Sequence, residues 1–398
     1  MRDNYLQNHR GGKAWRAAKF TNPRADATVE ALTNRVETEA NPIAEEEDIL
    51  RGECFLLNDG DQYYELPPAA QAHERISEQS VERARFMRSG RNGPGSDKLS
   101  FGAIWLLWKW NRMRIEGQMK AAVQTGHHPA VSKRACGMVV QKPGNEDFMM
   151  VKSYRTISLL SCMGKVVEKV VAELLSDEAG RGALLTNGQF RSRKKRSTIN
   201  VAAIRVEIAH AVWKEENITG VLQIVIKAAF PRVARGRLIH GMKVWKIDGD
   251  LIRWTESFLS ERTVEIVIQR ILLQSDPMET GVPEVSPLSP ILLAIHTTGL
   301  IKRVEERVQA EGLSFLDDLG WVAIGRDVNQ VVEKPEACAA ESIEWASRRD
   351  LQFDTAITEA VLFTPSKGHK KHLHAKLTAI IKSRNGFVRF HKEVTRWL

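Results

Sequence analysis

Apolar residues along the chain follow two rhythms, and each predicts an element. Leu159, Leu160, Met163, Val166, Val167, Val170, Val171, Leu174 and Leu175 recur at steps of three and four, the spacing of one helical face, and Gly180 to Gly182 end the run. Ile104, Trp105, Leu107, Trp108 and Met113 predict a helix from Phe101 to about Thr125. Further helices are expected over Ile199 to Trp213, Arg235 to Ile247, Asp250 to Arg262, Pro290 to Val308 and Val328 to Arg349. Strand character shows in Met138-Val139-Val140, in the near-continuous apolar run Gly220 to Ile226, and in the alternation of Thr263 to Ile268. Leu313 to Ile324 places strand formers on both sides of Asp317 and Asp318, which predicts a β-hairpin with the two acids at its turn.

Residues 1 to about 90 lack this order. Met1 to Arg24 is basic and polar, Glu37 to Asp48 is dense in acids, and Leu66-Pro67-Pro68 ends a loop, so the segment reads as marginal helices joined by linkers, partly disordered. The remaining chain, 43% hydrophobic over 398 residues in all, is long enough to bury a sizeable core.

Charge and cysteine content narrow the class. Lys and Arg outnumber Asp and Glu by 58 to 49, a formal charge of +9, which favours polyanionic partners. Cys54, Cys136, Cys162 and Cys338 are widely spaced and form no C-x-x-C pair, so neither a zinc site nor a disulfide framework is expected. The most apolar early run, Phe101 to Trp110, is interrupted by Lys109 and falls short of the roughly 20 residues that span a bilayer. The N-terminus lacks the apolar core of a signal peptide. The expectation is an intracellular protein of nucleus or cytoplasm, not secreted and not in a membrane. His127 and His128, just past the predicted helix end, are expected at the surface.

Two stretches carry candidate chemistry. Adjacent carboxylates on a rigid hairpin suit Mg²⁺, a hard ion that binds one or two carboxylates together with substrate phosphates, although Asp is also an ordinary turn residue. Arg191-Ser192-Arg193-Lys194-Lys195-Arg196 places five cations in six residues. Such crowding is relieved by a polyanion, so the run reads as a nucleic-acid contact, a nuclear localisation signal or a solvated basic loop.

The order of short segments identifies a relationship. Gly93-Pro94-Gly95-Ser96-Asp97, Lys142-Pro143-Gly144, Lys152 to Leu160, Gly188-Gln189-Phe190, Ile226-Lys227-Ala228-Ala229-Phe230, Gly281-Val282-Pro283, Ser286 to Leu292 and Phe315-Leu316-Asp317-Asp318 resemble, in sequence order, the reverse transcriptase domain of non-LTR (LINE-like) retrotransposons. That resemblance implies an α/β right-hand polymerase fold from residue 91 to 398. Fingers are expected at about 91–218 and 235–275 and palm at about 219–234 and 276–398, with the thumb missing: Thr395-Arg396-Trp397-Leu398 resembles only the start of the primer grip. It implies RNA-templated DNA synthesis by two-metal nucleotidyl transfer, with Mg²⁺ or Mn²⁺ on Asp317 and Asp318, and with an RNA template, a DNA primer and dNTPs as partners.

The resemblance also assigns roles and exposes departures. Arg155 and Lys152 match positions that face the incoming triphosphate, and Phe230 matches the aromatic residue that excludes a ribose 2′-hydroxyl. Gly281, Pro283 and Ser286, together with Arg191, Arg193, Lys194, Lys195 and Arg196, fall at template and primer positions. The catalytic Asp of motif A is replaced by Val225. The motif B Gln-Gly is Glu284-Val285, Arg191 stands for a glycine, and Ile357 stands for the motif D lysine. The expected outcome is a degenerate copy with catalysis impaired or lost, or alternatively a non-catalytic remnant that binds RNA or an RNA:DNA hybrid.

Overall fold

A computed structural model describes residues 32–33, 39–40, 65–68, 76–85, 93–141, 153–182, 184–268, 271–349, 351–354 and 357–363. The segments Lys142-Pro143-Gly144, Lys367 to His372 and Thr395 to Leu398, and the residue Lys152, lie outside the described residues. In the N-terminal region, strands β1 (Leu32–Thr33) and β2 (Glu39–Ala40) pair antiparallel, and helix α1 spans Glu78–Arg85.

The chain divides into two compact units, residues 1–175 with 242–289, and residues 176–241 with 290–398. Residues 176–241 fall in the second unit and residues 276–289 in the first. Hydrogen bonds give one reason: Met278 N–H donates to the Arg262 carbonyl at 2.8 Å, and the Ser286 hydroxyl donates to Glu168 at 2.7 Å, so both tie the 280s segment to the first unit.

The first unit is built on a sheet of order β4-β3-β6-β7: β3 (Arg134–Gln141), β4 (Tyr154–Leu159), β6 (Thr263–Ile268) and β7 (Ile271–Pro277). β3 runs antiparallel to β4 and parallel to β6. Helix α2 (Phe101–Gln124) starts at Ser100, whose hydroxyl accepts the Ala103 N–H at 3.2 Å. Helix α3 (Cys162–Arg181) begins in this unit, and α6 (Gly249–Leu259) lies within it. His127 is exposed as expected, but His128 is fully buried. The Ser257 hydroxyl accepts its backbone N–H at 2.9 Å, and its ring meets Trp254 and Phe258 edge-on at 5.0 and 5.4 Å. An imidazole presents enough apolar edge to fill such a slot, which pattern reading by polarity misses.

The second unit is built on the sheet β10-β5-β9-β8: β5 (Ile218–Val225), β8 (Glu311–Phe315), β9 (Asp318–Gly325) and β10 (Glu359–Phe363), with every named pairing antiparallel. A short segment extends the β8 edge: Ser314 N–H donates to Gly188 O at 2.8 Å and Phe190 N–H to Ser314 O at 3.1 Å. Helix α4 (Thr198–Lys214) opens with a capping box between Ser197 and Asn200 and lays Val201, Ile204 and Ile208 on Val221, Leu313 and Val322. Residues along a strand alternate faces, so the other side of the sheet carries Ile224, Leu319, Trp321 and Ala323, all buried. Helix α8 (Val328–Ser347) packs against β9 and β5, and Ile301 of α7 (Ser289–Val308) lies close to Gly312 on β8. Helix α5 (Arg235–Val244) follows the β5 turn.

Candidate active site

The predicted hairpin forms, with its turn one residue earlier than the pattern suggested. β8 ends at Phe315 and β9 begins at Asp318, so Leu316 and Asp317 are the two-residue turn and Asp318 already belongs to the ladder. Leu316 takes φ 64°, the left-handed region favoured by two-residue hairpin turns and unfavourable by about 1–2 kcal/mol for a residue with a Cβ. The acids are thus fixed by backbone geometry: Ile226 N–H donates to the Asp317 carbonyl at 3.0 Å, and Val225 pairs across the strands with Asp318.

Residues directly opposite in an antiparallel ladder share a face, so Phe315, Asp318 and Val225 form one row on the α4 side of the sheet. Neighbouring strands lie about 4.8 Å apart, close enough for their side chains to share a ligand. Asp317, Asp318 and Val225 are all half-buried. Beyond Val225, Asp354 N–H donates to the Val225 carbonyl at 2.8 Å and Lys227 N–H to Gln352 O at 2.8 Å, while Ala228 turns the chain with φ 48° toward half-buried Phe230.

A cation that motif reading did not find stands beside this row. Arg205 of α4 donates from Nη1 to Gln223 Oε1 at 3.2 Å, and its Cζ lies 3.1 Å from where a Cβ on Gly320 would be. Gln223 and Gly320 are themselves cross-strand partners, one step along the same face from Val225 and Asp318. Burial and the neighbouring Asp317 charge raise the Asp318 carboxyl above its ordinary range, while Arg205 pulls it back. Arg205 is lowered by burial and supported by Asp318. Its trace in the sequence is a charged residue inside the stripe Val201, Ile204, Ile208, Val212, a place where helical periodicity calls for an apolar side chain.

Two metal ions bridged by carboxylates need donors from more than one strand. The donor set here does not fit such a pair of ions. The cross-strand neighbour of Asp318 is an alkyl group, a guanidinium approaches from the same face, and among the described residues no group of three or more His, Cys, Asp or Glu is placed to hold a metal.

The basic run is more occupied than its sequence suggests. Arg193 Nη1 donates to Thr186 O at 2.8 Å, Arg196 Nη1 to Asn187 O, and Lys194 Nζ pairs with Asp177 at 2.7 Å. The Arg191 guanidinium stands 5.4 Å over the Phe315 ring, and that of Arg196 5.0 Å over Phe190. Arg191, Lys194 and Lys195 are exposed. These contacts fold the loop back onto the β8 edge.

In the first unit, Arg155 is exposed on β4 opposite Val140. Gly281 takes φ 80°, which a side chain would resist, and Pro283 is buried with its carbonyl accepting from Ser286 N–H at 3.0 Å and the Ser289 hydroxyl at 2.7 Å. Ser286 is turned inward, donating to Glu168, while its oxygen accepts from Leu288 N–H at 3.1 Å. Glu168 is fully buried within reach of the charges of Arg262 and Lys165, and its Oε1 is 3.9 Å from His128 Nε2.

Residues 140–355, more than half of the chain, match the family model described as reverse transcriptase (RNA-dependent DNA polymerase). Similar curated proteins include the RNA-directed DNA polymerase from mobile element jockey of Drosophila funebris, 24% identical over 69% of this chain and 30% of that protein. The probable RNA-directed DNA polymerase from transposon BS of Drosophila melanogaster is 30% identical over 45% of this chain and 20% of that protein. The chain thus spans under a third of the length of these relatives. A structure of apo telomerase from Candida tropicalis, truncated from its C-terminal domain, aligns over 68% of this chain and 57% of that chain at 12% identity and a TM-score of 0.43. Among the described residues no helix is long and apolar enough to cross a membrane.

Proposed function

The chain belongs to the reverse transcriptase family, with relatives among non-LTR retrotransposon polymerases, and from that premise we propose that it is a copy in which nucleotidyl transfer is impaired or lost. The supporting observation is the pairing of Val225 with Asp318, which sets an isopropyl group on the strand neighbouring the acidic pair. The family activity is RNA-templated DNA synthesis with divalent metal, and Asp317 and Asp318 are the side chains that would hold an ion here. Divalent ions, if held there by Asp317 and Asp318, would supply nucleophile activation and charge stabilisation worth several kcal/mol of barrier. At about 1.36 kcal/mol per decade, loss of a bridging ligand costs about three orders of magnitude in rate.

In this reading Phe230 borders the sugar of a bound nucleotide, Arg155 and Lys152 serve its phosphates, and Gly281, Pro283 and Ser286 shape the template path through backbone rather than side chain. An RNA template, a DNA primer and dNTPs are the proposed partners, in an intracellular setting. Primer extension with Mg²⁺ or Mn²⁺ tests the proposal. Incorporation is expected near background. Robust incorporation that disappears in an Asp317→Ala, Asp318→Ala double variant would overturn it.

A second reading, a non-catalytic binder of RNA or RNA:DNA hybrid, is favoured by the exposed cations Arg191 and Lys195 on the loop beside β8. It predicts binding that weakens with salt and little with sequence.

A further inference from the structure

We infer that Arg205 is the resident counter-cation of the Asp317-Asp318 turn, held over the row beside Val225 so that this copy balances its acidic pair with a guanidinium instead of divalent ions. The inference rests on the proposed reading of Val225 as a lost donor position, and deepens it. Three independent placements support it. Gln223, partner of Gly320 on the ladder, anchors Nη1 of Arg205 at 3.2 Å. Gly320 leaves the guanidinium room to lie flat against β9, because a Cβ there would collide with Nη2 and sit 3.1 Å from Cζ. The helix that carries Arg205 is itself locked onto the sheet by Val201, Ile204 and Ile208, so the side chain is delivered from a rigid element.

The charge arithmetic favours this arrangement over a bound ion. Two adjacent carboxylates repel, and Gly320, two residues beyond Asp318 on the same face of β9, is where the guanidinium lies against the strand. An acid at 225 would add the third negative charge that bridged divalent ions require, whereas with Val225 a single guanidinium offsets half of the pair's charge. Arg205 Nε is buried without a hydrogen-bond partner, consistent with a guanidinium placed for its charge rather than for a full set of hydrogen bonds. An ion approaching Asp318 must then overcome repulsion from a fixed positive charge. At an effective dielectric constant near 20, that repulsion lowers divalent affinity by at least about tenfold.

The test is Mn²⁺ binding by the full chain, read from the loss of the free-ion electron paramagnetic resonance signal, with Asp317→Ala, Asp318→Ala as the control that defines the site. Arg205→Gln should tighten Mn²⁺ binding at this site by about tenfold or more. Gly320→Ala, which displaces the guanidinium and leaves the charges in place, should move it in the same direction. Arg205→Lys should stay near the parent. Val225→Asp should tighten it separately, and Val225→Asp with Arg205→Gln should bind tightest. If Arg205→Gln and Gly320→Ala both stay within twofold of the parent while Val225→Asp binds more tightly, the counter-cation is refuted and the reading of Val225 survives. If Arg205→Gln tightens binding and Val225→Asp does not, the reading of Val225 fails and the counter-cation stands.

Discussion

Glu168 and Arg262 offer a perturbation whose sign and size follow from burial. Glu168 is 0% and Arg262 1% exposed. Burial raises the Glu168 carboxyl and pushes Arg262 down to about 10, each opposed by the other's charge. That fall is a net penalty on the charged guanidinium, even with Glu168 helping. Among the described residues the Arg262 side chain makes one hydrogen bond, from Nη1 to Phe258 O at 3.0 Å, and a ring contact to Phe258 at 4.8 Å, while its Nε and Nη2 lack partners. Glu168→Gln therefore leaves a buried cation that cannot discharge at neutral pH, and should cost about 3–5 kcal/mol. Arg262→Met leaves a carboxyl that can take up a proton and keep its bond from Ser286, so its cost should be about 1–2 kcal/mol at pH 7. In that variant the raised Glu168 makes stability greatest below its ordinary value of 4.5, with progressive loss as pH rises through the raised value. The double variant should be less costly than Glu168→Gln alone. Urea unfolding of the four chains at pH 7 measures all of this. Glu168→Gln costing no more than Arg262→Met, or costs that add within about 0.5 kcal/mol, would refute the reasoning.

His128 is pushed from 6.5 to about 3, by burial first and then by the charges of Arg262 and Lys133. It contributes stability that is present above pH 6.5 and lost as pH falls toward 3, with Glu168 acting in the opposite sense at the lower end. His128→Phe should flatten that acid limb in unfolding experiments across the same range. Gly188→Ala should cost about 2 kcal/mol or more in urea unfolding, because its Cβ would run into the Gly312 carbonyl where the segment docks on β8. In the basic loop, Lys195→Ala should lower the salt slope of hybrid binding by about 0.7–0.9 without changing stability. Arg193→Ala should instead cost about 1 kcal/mol of stability by freeing the Thr186 carbonyl.

The strongest periodicities translated directly into elements. The three-and-four stripe of α3, the apolar run of β5 and the acidic hairpin all stand close to their predicted limits, because each is set by local spacing. Register is a different matter. That Val225 meets Asp318 rests on pairing between residues far apart in the chain, which the family resemblance suggests and periodicity cannot. The strand β7 was not foreseen, and the parallel pairing of β3 with β6 leaves no local mark. Arg205, Glu168 and Arg262 escaped notice for one physical reason: the first-ranked opposite charge for each comes from a distant segment, Asp318 for Arg205 and each other for Glu168 and Arg262. Polarity misled at His128, where the ring edge packs as an apolar body. The basic run showed its charge but not that Thr186, Asn187 and Asp177 engage three of its cations.

Position 225 offers an alkyl group, not an oxygen donor, beside the acidic pair. Single-nucleotide incorporation on an RNA template with a DNA primer, compared between the parent chain and Val225→Asp, tests it most directly. The expected result is a rise of about a thousandfold or more, abolished when Asp317 and Asp318 are also replaced by Ala. A parent chain that already incorporates at the rate of the Val225→Asp variant would contradict it.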